Sequence, residues 1–307
     1  MSPVLRIGTR GSRLALAQAE WVRQRLARAH PGLRAELVVI KTAGDRLCDA
    51  PLHALGGKGL FVKELETALA DGRIDCAVHS LKDVPGELAP GLIVAAVPER
   101  EDARDVVVTR QPGGLAALPG GARAGTSSPR RAALLRALRS GLAVVDLRGN
   151  VDTRLAALER GDIDALLLAA AGLRRLGVTP RHAEPCDARE FVPAIGQGAL
   201  ALESRPGSVA EQLAAIEHHP SRQAIDAERA FLRAVGGTCV TPLAAHATIA
   251  GGRLTLRALI AHPDGTRVVR GEDQGAAADG ARLGAELAAR LLRDGGAALL
   301  RELGLPV

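Results

Sequence analysis

Over the first two hundred residues, short apolar runs alternate with longer segments whose apolar residues recur at helical spacing. That alternation limits the folds open to the chain more than any other feature. Val4 to Thr9 is short and apolar, as a strand is. Ser12 opens an amphipathic stretch to about Ala29, closed by His30-Pro31-Gly32. Glu36 to Thr42 reads as a second strand, Lys58 to Ala70 as a helix ended by Asp71-Gly72, and Asp75 to His79 as a third strand. The pattern restarts after Glu99-Arg100-Glu101-Asp102, with strands at Val106 to Thr109, Ala122 to Gly125, Ala143 to Leu147 and Ile163 to Leu168. Helices fall between them at Arg130 to Arg139 and Asp152 to Arg160. This order implies two α/β domains in tandem, each a parallel sheet covered by helices. The cleft between them is the default ligand site.

The rest of the chain has a different texture. The longest apolar stretch, Ala165 to Gly172, reads as a buried strand running into a turn. Val192 to Glu203 is strand-like, contains Gly196 and Gly198, and is expected to cross back to the first domain. From Ser221 come a helix, alternating strands (Arg253 to Ile260, Arg267 to Arg270) and a long Ala-rich helix, a small α+β domain. The expected division is residues 1–98 with 195–216, then 99–194, then 217–307.

Composition narrows the function. With three Phe, one Trp and no Tyr, the cores must be filled by aliphatic side chains and Ala. No apolar run reaches the ~18 residues a membrane span needs. Met1 to Arg10 is too short and polar for a signal peptide, so a cytoplasmic protein is expected. Cys48, Cys76, Cys186 and Cys239 form no CxxC pair, which argues against a zinc site and a disulfide framework. The net charge of +6 is open to nucleic acid, membrane surfaces or small anions. Single-strand binding is disfavoured because almost no aromatic rings are available to stack on bases. The basic residues also come in twos and threes at the ends of elements, which suits carboxylate or phosphate capture. Only four of the 40 basic residues are lysines, and Lys41, Lys58, Lys63 and Lys82 all lie in one short stretch. Lysine is a compact point charge where arginine is a fork, so these positions favour a group that Arg cannot replace.

Three loops share one logic. Gly125-Thr126-Ser127-Ser128-Pro129-Arg130-Arg131 follows a strand and opens a helix. Its hydroxyls can cap the helix, Pro129 suits the first turn, and free N–H groups face an incoming anion. Arg130 and Arg131 add bidentate carboxylate recognition. Leu147-Arg148-Gly149-Asn150-Val151-Asp152-Thr153-Arg154 repeats the arrangement one unit later. A cation in a first helical turn opposes the helix dipole, so Arg154 is assigned to a ligand. Ile7 to Ser12 is a third copy, with Arg10 and Ser12. Each loop taken singly is equally a plain helix cap.

His79-Ser80-Leu81-Lys82-Asp83-Val84-Pro85 follows an apolar strand and so lies at the edge of a cleft. An Asp among cations stays ionised and can stabilise a cationic intermediate; a bare Lys-Asp pair is also a common solvated turn. Gly56 to Glu64 is glycine-rich but lacks the spacing of a phosphate loop. Gly236-Gly237-Thr238-Cys239-Val240-Thr241-Pro242 sets a cysteine in a context that suits an exposed thiol, with no role fixed by the loop itself.

Taken together and in order, RIGTRGSRLALAQ, GGKGLFVKELE, HSLKDVP with GTSSPRR, RGNVDTRL with AGLRRLG, and PAIGQGAL with GGTCVTP resemble the porphobilinogen deaminase family from Arg6 to about Pro242. The resemblance implies two α/β domains like those of periplasmic binding proteins, with a central cleft, plus a small C-terminal α+β domain. It implies a dipyrromethane cofactor held by a thioether to Cys239. It also implies head-to-tail joining of four porphobilinogen molecules with loss of ammonia, and release of hydroxymethylbilane. On family positions, Asp83 is the catalytic carboxylate beside the pyrrole nitrogens. Lys82, Asp83, Thr126, Ser128, Arg130, Arg131 and Phe61 fall on cofactor-binding positions, and Arg10, Ser12, Arg148, Arg154, Arg175 and Gln197 on substrate-binding positions. No metal is implied, and a monomer that binds neither nucleic acid nor membrane is expected. The sequence departs from the family pattern at Gly11, at Pro129, and at Thr238-Cys239-Val240 where Gly-Cys-Gln is usual; none removes a group the chemistry needs. Two other readings explain part of the sequence: a non-enzymatic anion-binding protein of the same two-lobed fold, and a nucleic-acid-binding protein.

Overall fold

The computed structural model describes residues 4–42, 62–207, 209–237 and 241–305. The first lobe starts with β1 (Leu5–Thr9), α1 (Arg13–Ala29) and β2 (Ala35–Val39), and continues with α2 (Lys63–Ala70), β3 (Cys76–Ser80) and β4 (Ile93–Ala96). Ser12 caps α1 as expected, accepting from the Ala15 amide at 3.2 Å. Lys58 to Phe61, the expected start of α2, lie outside the described residues.

The second group holds β5 (Asp105–Thr109), β6 (Arg123–Gly125), α3 (Pro129–Leu138), β7 (Ala143–Val145), α4 (Val151–Arg160), β8 (Ala165–Ala169), α5 (Ala170–Leu176) and β9 (Ala183–Pro185). Ser128 caps α3 with Pro129 in its first turn, and Asn150 caps α4, accepting from the Thr153 amide at 2.8 Å. The stretch expected to turn at Ala170 to Gly172 instead starts a helix: α5 follows β8 without a break and stops at Gly177, whose φ is +63°.

The chain then returns to the first lobe. Only β10 (Leu200–Ser204) of the expected Val192–Glu203 segment is a strand; the part with Gly196 and Gly198 is made of turns. The first sheet has the order β2-β1-β3-β10-β4 and the second β7-β6-β8-β5-β9. The expected all-parallel sheets are mixed. β1 runs parallel to β2 and β3, but β10 is antiparallel to β3 and β4. Likewise β6 is parallel to β7 and β8, while β5 is antiparallel to β8 and β9. In each sheet one strand runs against the others, the one that brings the chain in from the other lobe (β10 in the first, β5 in the second), because it does not follow a crossover helix.

After α6 (Ala210–Ala214) come α7 (His219–Val235), β11 (Leu243–Ala250), β12 (Arg253–Ala261), β13 (Val268–Ala276), α8 (Gly280–Leu291) and α9 (Ala297–Glu302). The three strands form an antiparallel meander, and α7 and α8 pack on it through Phe231, Leu254, Leu256, Leu283 and Leu287. β11 was not expected from the sequence, nor were β4 and β9. No helix among the described residues is long and apolar enough to cross a membrane.

Two glycines allow the crossover to pass tightly. A Cβ on Gly198 (φ +87°) would collide with the Glu101 carbonyl, and one on Gly196 (φ +71°) with Leu81. The return segment therefore lies directly against the Leu81–Lys82 turn and the chain that leads into β5. The lobes also touch at their rims, where Arg13 meets Asp152 at 2.8 Å and Leu14 faces Gly172.

Candidate active site

The ends of β3, β6 and β8 and the crossover converge on one group of charges. β5 opens with Asp105, which is fully buried. Arg130 reaches it with two bonds, 2.8 and 3.1 Å, and gives a third to the Val192 carbonyl. Arg131 bonds Asp105 through Nε at 2.8 Å and Nη2 at 2.7 Å, and the Leu167 carbonyl at 2.9 Å. Burial alone would raise the Asp105 carboxyl, but the two guanidinium groups bring it down to about 2.

This changes the picture drawn from sequence. Arg130 and Arg131 are 4% and 6% exposed, and both already hold an internal carboxylate that the sequence did not reveal as their partner. Gln197 is 1% exposed; its amide donates to the Ala103 carbonyl at 2.7 Å and Asp105 at 3.2 Å. Its oxygen faces Lys82 Nζ at 3.4 Å and Arg131 Nη2 at 3.5 Å. Gln197 thus sits beneath the cleft and links the two lobes through their cations.

Lys82 and Asp83 belong to a single 3₁₀ turn, Leu81–Asp83, that continues β3. Lys82 is half-buried and Asp83 exposed. Burial pushes the Lys82 ammonium down to about 8; Arg131 acts in the same direction, and Asp83 and Asp105 oppose it. Arg154 is pushed down to about 10, first by burial and then by Arg131. Its Nε donates to the Gly149 carbonyl and its Nη2 to Ser127 Oγ at 3.3 Å. Arg175 is likewise pushed to about 10 by burial, with Nη2 on the Gly198 carbonyl at 2.7 Å. Arg148 pairs with Asp146 at 2.9 Å. Thr126 is buried, and its hydroxyl accepts from the Ser128 amide at 3.1 Å. Arg10 is half-buried just before the Ser12 cap.

The described candidates therefore gather at strand ends of both lobes: Lys82 and Asp83 from the first, Thr126, Ser128, Arg131, Arg148 and Arg154 from the second, with Gln197 and Arg175 at the crossover. Phe61 and Cys239 lie outside the described residues. Sequence reasoning missed Asp105, which looks like any acidic residue before an apolar strand; only the fold shows two arginines and a glutamine converging on it. It also missed the pair that fixes the crossover from behind. Arg100 donates to Glu228 at 2.6 and 3.2 Å and to the Gln197 carbonyl at 2.8 Å. Glu228, fully buried on α7, also accepts from the Gly196 and Ala247 amides.

The residues fit a ligand with several carboxylates. Three cations held below their usual range by burial gain most from added negative charge, and Asp105, the buried anion that acts on Lys82, is already committed to two arginines. Fold and site together define a two-lobed α/β protein whose strand ends gather partly desolvated cations around the exposed carboxylate of Asp83.

Comparison with known proteins shows the family. Residues 5–212 match the family model described as porphobilinogen deaminase, dipyromethane cofactor binding domain, and residues 223–293 match the porphobilinogen deaminase C-terminal domain. A porphobilinogen deaminase of Syntrophotalea carbinolica is 50% identical over 306 residues, 99% of this chain and 97% of the relative. One of Roseiflexus sp. (strain RS-1) is 51% identical over 302 residues, 98% of this chain and 99% of the relative. The chain belongs to the porphobilinogen deaminase family. Among solved structures, the periplasmic VFT2 domain of Bordetella pertussis BvgS aligns with 70% of this chain and 85% of its own at 15% identity and a TM-score of 0.40. The aliphatic sulphonate binding protein SsuA of Escherichia coli aligns with 76% and 70% at 20% identity and a TM-score of 0.37. At those scores neither likeness bears weight.

Proposed function

We propose that this chain is a hydroxymethylbilane synthase, a transferase that joins four porphobilinogen molecules head to tail with loss of ammonia. The observation that carries the reading is the desolvated set of Lys82 and Arg154 beyond strand ends and Arg175 at the crossover, with Asp83 exposed next to Lys82. Acetate and propionate groups on each pyrrole supply the negative charge this set lacks.

The family's dipyrromethane cofactor, attached to Cys239, supplies a pyrrole terminus to which substrate is joined. Lys82, Thr126, Ser128 and, beneath them, Arg131 are the described residues that would hold its carboxylates; Phe61 falls on a family position for the cofactor and lies outside the described residues. Arg130 contributes by fixing Asp105. Arg10, Ser12, Arg148, Arg154 and Arg175 bind substrate carboxylates. Gln197, inaccessible from the cleft, orients Lys82 and Arg131. Asp83 has the chemical role: its carboxylate stabilises the cationic pyrrole left when ammonia departs, and then takes the proton released from the ring carbon after coupling. The lobes correspond to residues 1–98 with 195–216 and 99–194, with the third domain at 217–307. We take the protein to act as a cytoplasmic monomer without nucleic acid.

The test is the intact mass of the purified, denatured protein. A gain of one dipyrromethane mapping to Cys239 is expected, directly or after adding porphobilinogen to apo-protein. Protein that gains neither adduct nor turnover with porphobilinogen would be an anion-binding protein of the same fold.

A further inference from the structure

A second group of buried polar atoms lies behind the Lys82–Asp83 turn. Cys76, Val78, Leu200 and Leu202 face α1, packing with Ala19, Val22 and Leu26. Strand alternation therefore turns His79 and Glu203 to the opposite face. There His79 Nε2 and Glu203 Oε2 stand 2.9 Å apart, both side chains almost fully buried. Neither atom has hydrogen-bond geometry to a described residue, and neither have Glu203 Oε1 and Arg229 Nη1. Arg229, 7% exposed on α7, uses Nη2 to bond the carbonyls of Pro85 at 2.9 Å and Gly86 at 3.0 Å.

The catalytic turn is thus gripped at both ends. His79 precedes it and meets Glu203; Pro85 and Gly86 follow it and meet Arg229. Burial favours loss of Arg229's proton; Arg233 and Arg222 act in the same direction, and Asp226 and then Glu203 oppose it. Glu66, whose carboxyl burial pushes up, faces the same group, with Arg222, Asp226 and Arg233 on the α7 side. Buried opposite charges with unfilled hydrogen-bonding capacity call for bridging water. α7 ends at Gly236, and the chain then runs into the loop that bears Cys239.

We propose that Glu203 and Arg229 are positioning residues that fix the Lys82–Asp83 turn relative to α7, and so set the carboxylate of Asp83 against the reacting pyrrole. The proposal rests on the deaminase reading above. A misplacement on the order of 1 Å at a reacting group costs up to about a hundredfold in rate.

The experiment compares wild type, Glu203→Gln, Arg229→Met and Arg229→Lys, each fully loaded with cofactor as judged by intact mass. Glu203→Gln is isosteric and keeps the fold, so it decides the matter even where Arg229→Met does not fold. The expected result is kcat down by about ten- to a hundredfold with KM little changed, and partial recovery in Arg229→Lys, which keeps the charge. Loaded Glu203→Gln with wild-type kcat overturns the proposal, whatever its melting temperature. Wild-type protein that takes up no adduct overturns the deaminase reading instead, so the two failures are separable.

Discussion

At the scale of single residues, the site works by keeping cations partly dry. Asp83→Asn should keep the fold and the cofactor adduct but lose nearly all turnover, since an amide neither stabilises a cation nor takes its proton; steady-state assay with intact mass checks both. Lys82 makes a pH prediction. Its ammonium falls from 10.5 to about 8 in the folded protein, so between those values the unfolded chain binds the extra proton. Stability should therefore rise with pH across that window through Lys82, and the cost of burying its charge should be full below about 8. Urea titrations of wild type and Lys82→Met, compared from pH 7 to 10, should show wild type gaining stability relative to the variant as pH rises; the difference cancels the opposite slope from the Cys76 and Cys186 thiols, which burial pushes up to about 12. Carboxylate ligands should also be bound with proton uptake above pH 8, visible as a buffer-dependent heat.

Among the elements, caps and glycines are where sequence and structure agree best. Ser12, Ser128 with Pro129, and Asn150 announce helix starts that the structure keeps within a residue or two. The Lys82–Asp83 turn and both arginine-bearing loops were legible too, because hydroxyl caps and strand-end charges are local signals. Strand direction was not. The return of Val192 to Glu203 to the first domain was expected, but β5 and β10 read like any other apolar run, and nothing local in Asp105–Thr109 or Leu200–Ser204 says that they run against their neighbours. The division of labour among arginines was equally hidden: Arg130 and Arg131 differ from Arg154 only through a carboxylate some 25 residues away in sequence. Gly198→Ala is the test of the crossover. Its positive φ and the Glu101 carbonyl leave no room for a methyl, so a loss of about 2–3 kcal/mol in stability is expected by chemical denaturation.

In the molecule as a whole, the third domain braces the joint between the lobes. Glu228 of α7 holds Arg100, and through the Gly196 amide it also holds the crossover. Glu228→Gln leaves the Arg100 guanidinium buried without its counter-charge and should cost about 3 kcal/mol. The exposed Arg13–Asp152 pair across the lobe rims is a different case: Asp152→Asn should change stability by under about 0.5 kcal/mol. The contrast puts a firm pivot at the back and a weak latch at the front, the arrangement a cleft needs if it is to open for a lengthening product.

The place of β10 has a consequence for synthesis. Among the described residues β4 is hydrogen-bonded to β10 and to no other strand, and β3 meets β10 on the edge away from β1. While the chain emerges from the ribosome, the first sheet must wait with an open edge until residue 204 is out, whereas β5 to β9, among the described residues, pair with one another alone. The inserted lobe can therefore close before the lobe that was begun earlier. A nascent chain halted near residue 195 should expose a sticky strand edge and call on chaperones, and one released twenty residues later should not.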